Sequence, residues 1–136
     1  MDNNMEKKLE KLTYDQIVAI HLAIEDDEEI TFSEKRLQSD VEFINQFDDL
    51  NVYLTHLFCT IICDDIFEKY NMQTAIATMD FFLRRNGYCL DLENDMEKDT
   101  IMGLVKTIKD SRELKKTEIN YIQSRLADCI HPYKGN

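Results

Sequence analysis

Three observations predict an all-α fold. Apolar residues recur at steps of three and four along most of the chain, the spacing of one helix face. A single proline and three glycines interrupt 136 residues. The hydrophobic share is 43%, and a chain of this length buries roughly two-thirds of its unfolded surface, enough for one core without staples. The expected architecture is a single-domain bundle of about six helices around a central hydrophobic helix. Residues 1–11 are polar and read as a flexible tail, and residues 12–136 as the helical domain.

The elements follow in order. Leu12-Thr13-Tyr14-Asp15-Gln16-Ile17 is a helix start, with Thr13 and Gln16 as a capping box and Leu12 and Ile17 as a hydrophobic staple. Ile17, Ile20, His21 and Ile24 form its stripe, which makes His21 a hydrogen-bonded core histidine rather than a base. The acidic run Glu25 to Glu29 opposes the helix dipole, so the helix stops there in a solvated loop. Thr31-Phe32-Ser33-Glu34 reads as a second capping box, followed by Leu37, Val41, Ile44 and Phe47. Asp48-Asp49 ends that helix and caps a long one from Leu50 to Phe67, with Leu54, Leu57, Phe58, Ile61, Ile62 and Ile66 on its apolar face. After a polar turn, Asn71 is the expected N-cap of the central helix. That helix carries Met72, Ala75, Ile76, Met79, Phe82 and Leu83, and closes at Arg84-Arg85-Asn86-Gly87, where Gly87 supplies the left-handed residue. Tyr88 to Leu92 reads as extended. A fifth helix opens at Glu93 to Asp95 and buries Ile101, Leu104, Val105 and Ile108. Ser111 to Lys116 is a link, and Thr117 caps a last helix with Ile119, Ile122, Leu126 and Ile130 before Pro132.

Thr74-Ala75, followed at fixed spacing by Phe82-Leu83-Arg84-Arg85-Asn86-Gly87, resembles the Doc branch of the Fic family. That family carries H-x-F-x-D-G-N-K-R-T-A in the turn between two core helices. On this chain the motif falls on Asp65 to Ala75. The resemblance implies a helical fold, and in active members phosphoryl or nucleotidyl transfer to a protein hydroxyl. It also implies a small antitoxin whose tail docks across the active-site groove. Residue by residue, the match is depleted. Asp65 stands at the histidine position, Lys69 at the acid, Tyr70 at the glycine, and Met72 and Gln73 at the two cations. Phe67, Asn71 and Thr74 match. No catalytic residue is assigned from this vestigial set, and Asn71 is left as the one candidate for contact with a nucleotide. The free N–H groups that begin the second helix are an anion site in principle, but Asp64, Asp65 and Glu68 would repel a triphosphate.

The expected function is therefore that of a binding protein of the toxin–antitoxin or mobile-element kind. The alternative is a transferase with Asp65 as its rewired base. His56, Cys59 and Cys63 share a helix face at a spacing that suits zinc, but no C-x-x-C pair or fourth ligand accompanies them, so an ordinary core face is expected and no metal or other cofactor. Arg84-Arg85 reads as helix-end cations. The formal charge of −11 disfavours nucleic acid and favours a basic protein surface or an antitoxin-like peptide as partner. No stretch reaches the ~20 apolar residues of a membrane span. With no leader ahead of the four cysteines, a cytoplasmic protein with free thiols is expected.

Overall fold

The computed structural model describes residues 8–25, 31–111 and 113–134. Among them lie six helices and one short ribbon. The order is α1 (Tyr14–Ile24), α2 (Glu34–Asn45), α3 (Leu50–Asp64), α4 (Asn71–Arg85), β1 (Tyr88–Leu90), α5 (Asp95–Asp110), α6 (Lys116–Ala127) and β2 (Ile130–Pro132). The all-α architecture expected from the spacing is the one observed. The run at 26–29 and Arg112 fall outside the described residues.

Two helices share the centre. The apolar face of α3 buries Leu54, Leu57, Phe58, Ile61 and Ile62, and α3 packs against α2, α4, α5 and α6. Helix α4 buries Ala75, Met79, Phe82 and Leu83 against α3, α1 and β1. The Tyr53 and Phe82 rings join the two helices, with centroids 4.4 Å apart. Tyr53 is fully buried, and its hydroxyl serves three elements. It accepts from the Leu12 N–H at 2.9 Å and donates to Asn45 Oδ1 at 2.7 Å. Burial pushes this phenol up to about 12, which keeps it a donor.

Several boundaries differ from the sequence expectation, each for a local reason. Helix α3 ends at Asp64, because Asp65 takes a left-handed backbone. Helix α2 is capped by Ser33, whose hydroxyl accepts from the Arg36 N–H, and not by Thr31. Helix α6 begins at Lys116 with Lys115 in the cap position, so Thr117 lies inside it. There the Glu118 carboxylate accepts from the Lys115 N–H and the Ser111 hydroxyl, supplying the polar contact at the helix start. Ile130 leaves the last helix and enters β2, which pairs antiparallel with β1 in the register Tyr88 with Pro132 and Leu90 with Ile130. The chain is tied down from Glu10: its backbone bonds both ways to the Asn86 amide, and Lys11 reaches Asn45 and Asp48.

Candidate functional site

The turn between α3 and α4 carries the residues that the resemblance singles out. Asp65 opens it in a left-handed conformation, φ 48°, which aspartate tolerates through its short polar side chain. Ile66 and Phe67 then drop into the core. Glu68, Lys69 and Tyr70 return to the surface. Tyr70 is the N-cap of α4, with φ 64° and no side-chain cap bond. It is a bulky residue in a region that costs an ordinary side chain roughly 1–2 kcal/mol.

Asn71 therefore does not cap the helix. Its side chain points back into the turn, where Oδ1 accepts from the Phe67 N–H at 3.0 Å. Its Nδ2 donates to the Phe67 carbonyl at 2.7 Å and to Asp65 Oδ1 at 3.1 Å. These three bonds engage the amide within the turn, and Asn71 is buried. Met72 is half-buried and Gln73 exposed.

Beneath the turn, Phe67 stacks on His21 with centroids 3.7 Å apart and planes 10° off parallel. His21 Nδ1 lies 2.7 Å from Thr74 Oγ1, and Nε2 lies 2.5 Å from Glu25 Oε2. His21 and Thr74 have no exposed surface, and Glu25 is buried. His21 is thus a hydrogen-bonded core histidine. Glu25, read from sequence as part of a solvated run, instead leaves that run and enters the core. Its i, i+4 spacing from His21 on one helix face was the available signal. The structure brings Asp65, Phe67, Asn71 and Thr74 into one connected unit with His21 and Glu25. Alongside, Phe32 bridges to Phe67, and the Glu68 N–H donates to the Thr31 carbonyl at 3.3 Å.

Two other places collect polar side chains. At the far end of α4, Arg84 pairs with Asp80 at 2.7 Å and lies over the Tyr133 ring, while Arg85 pairs with Glu10 at 3.0 Å. Between α2, α3 and the start of α6 lies a cleft of about 280 Å³ that includes Asp40, Phe43, His56, Cys63, Asp64 and Leu114. His56 stacks on Phe47, centroids 4.3 Å apart, and burial lowers its basicity. Cys59 is buried and its thiol is pushed up to about 12, first by burial and then by Cys63. Cys63 was expected on the covered face but is exposed, because it lines this open cleft rather than the core. All four cysteines are free. Among the described residues no group of three or more His, Cys, Asp or Glu is arranged to hold a metal ion. The Asp40 carboxyl is raised to about 7. Burial contributes most, then a hydrogen bond with the Asp64 carboxyl, then the Asp64 charge, with Arg36 pulling the other way.

None of the described helices is long and apolar enough to cross a membrane. Family models, curated proteins and solved structures were each compared with this chain, and none matches it.

Proposed function

We propose that this chain is a degenerate Fic/Doc-like protein that acts in the cytoplasm by binding another protein, in a toxin–antitoxin or mobile-element setting. The observation that carries the reading is the state of the turn. A tyrosine occupies its left-handed position, and the asparagine that would approach a phosphate is spent on Phe67 and Asp65. A glycine at that position would let the backbone approach a ligand closely; Tyr70 places a Cβ and a ring there. Met72 and Gln73 stand where the two neutralising cations would be needed, and the exposed carboxylates of Asp65 and Glu68 add negative charge to the turn.

The energetic cost of such a site is large. Absence of the general base costs ~10² to 10⁴ in rate. Absence of one charge-stabilising donor costs roughly a further 10² to 10³, although such losses do not simply add. Binding makes no such demand, because it needs a surface and not a transition state. The partner that suits the charge of −11 is an antitoxin-like peptide or a basic protein surface.

A second reading, a transferase with Asp65 as base, draws on the exposure of Asp65 at the start of the turn. One experiment separates the two. Incubation with labelled ATP, GTP or UTP and a cell lysate is expected to leave every protein unlabelled. Label transfer that vanishes in Asp65→Ala would overturn the binding-protein reading.

A further inference from the structure

A small pocket opens between α4 and α5. It encloses about 200 Å³ and is lined by Ile76 of α4, Leu92 of the loop after β1, and Lys98, Ile101 and Met102 of α5. Sites for small molecules usually enclose roughly 300–1,000 Å³, so this one suits a single large side chain rather than a metabolite. Four of the five lining residues are apolar. Lys98 is exposed, and a lysine so placed gives its carbon stem to the wall and leaves its ammonium in water. The rim is open to solvent. Leu92 is 39% exposed, Met102 40%, and Met96, between them in the first turn of α5, 80%. Single exposed apolar residues need no explanation, but three large ones from Leu92 to Met102, two of them on the rim of a pocket, mark an interaction surface. Methionine also adapts its shape to what it meets.

The charges around the pocket are sorted. Asp91 and Glu93 flank Leu92. Asp95 and Asp99 precede Met102 by seven and three residues, which puts all three on one stripe of α5. These four carboxylates are exposed. Glu97 is engaged elsewhere, by His131 at 2.7 Å. On α4, Gln73 is neutral and Asp80 is held by Arg84 and the Leu90 N–H. Beyond Met102 the stripe becomes basic, at Lys106 and Lys109. The acidic side of the pocket is therefore the loop and the start of α5, where four carboxylates stand against Lys98 alone.

We infer that this pocket is the docking point for an amphipathic helix of a basic protein partner. The helix buries one side chain of leucine or phenylalanine size between Ile76, Leu92 and Met102, and pairs its lysines or arginines with Asp91, Glu93, Asp95 and Asp99. A helix suits the layout because it carries cations one turn from an apolar anchor. The inference rests on the binding-protein reading and says where, and by what chemistry, that partner is held. Charge selects the occupant. A second copy of this chain would bring its own net charge of −11 to an acidic rim, and a nucleic acid or an anionic lipid surface would likewise add negative charge.

The test follows the Leu92 and Met102 methyl resonances of the full chain by NMR while a helical peptide of about four turns is added. The peptide has an apolar stripe centred on one phenylalanine and flanked by lysines. Saturable shifts of both methyls are expected. Replacing the phenylalanine by alanine should weaken binding at least tenfold, and so should replacing the lysines by glutamates. Met102→Gln, read on the Leu92 methyl, should weaken the original peptide severalfold. Glu93→Gln combined with Asp99→Asn should also weaken it severalfold and flatten its salt dependence. These side chains are exposed, so both variants should fold, and an unchanged amide spectrum elsewhere checks it; the two altered peptides decide the matter on the wild type in any case. Equal binding of the alanine or the glutamate peptide, full affinity in either variant, shifts confined to another surface or no saturable shift at all would each overturn the inference. Nucleotide transfer by the wild type would instead overturn the binding-protein reading and leave the pocket to be judged on its own titration.

Discussion

Each end of α4 is fastened by an asparagine, and the two ends are made differently. At the start, Asn71 grips the N–H and carbonyl of Phe67, four residues back. At the finish, Asn86 grips the N–H and carbonyl of Glu10, 76 residues away. The first clamp is buried and shapes a turn. The second is partly exposed and pins the front of the chain. Each end also has a left-handed residue, Tyr70 at φ 64° and Gly87 at φ 90°. Glycine adopts that region freely, whereas tyrosine does so under strain. The finish therefore follows from its own residues, and the start is imposed by its surroundings.

Substitutions can break or sharpen this contrast. The largest effect should come from Phe82→Ala, which removes the fully buried ring between α4 and Tyr53. A loss of roughly 3–5 kcal/mol is expected, read as a fall in denaturant midpoint at unchanged slope. A protein as stable as wild type would mean that α4 does not present this face to α3. Next come the two clamps. Asn71→Ala strands buried partners and should cost roughly 2–3 kcal/mol, while Asn86→Ala at the wetter end should cost about 1 kcal/mol. Equal losses would erase the distinction between a buried and an exposed clamp.

The left-handed pair should respond with opposite signs. Gly87→Ala meets no atom within 4 Å, so its cost of about 1–2 kcal/mol is purely backbone. Tyr70→Gly should raise stability by up to ~1 kcal/mol, since the ring is 44% exposed and little packing is lost. Destabilisation by Tyr70→Gly would show that the tyrosine ring holds the turn. The smallest effect belongs to Asp65→His. The position is exposed, its carboxylate accepts from Asn71, and histidine tolerates a left-handed backbone, so stability should change by no more than about 1 kcal/mol. It should also confer no label transfer, because Tyr70, Met72 and Gln73 remain.

Much of the fold was legible because helices write their periodicity locally. Ile101, Leu104, Val105 and Ile108 are all buried, and the Thr13–Gln16 capping box forms in both directions. Gly87 stands where a helix-ending glycine should. The β1–β2 ribbon was not legible as a pair. Three-residue strands hold too little alternation to register, and their pairing joins segments 40 residues apart that only the packed helices bring together. Ile76 was expected in the covered face but is only partly buried, since it also borders a small pocket beside Leu92 and Met102. At the candidate site the residue identities were readable and their partners were not. The Asn71 amide could equally have capped forward or bonded backward, and the choice depends on where Phe67 enters the core. Thr74 and His21 are 53 residues apart, a pairing that no local pattern encodes.

The ribbon and the Asn86 clamp have a practical consequence. Glu10 bonds to Asn86, and the Tyr133 N–H donates to the Gly87 carbonyl at 3.0 Å, so the segments around Glu10 and Tyr133 meet on neighbouring residues of one pole. The Asp65–Tyr70 turn lies at the other pole, separated by the 15 residues of α4, about 22 Å at the usual helical rise. A tether attached through either segment would leave the turn facing away from the support.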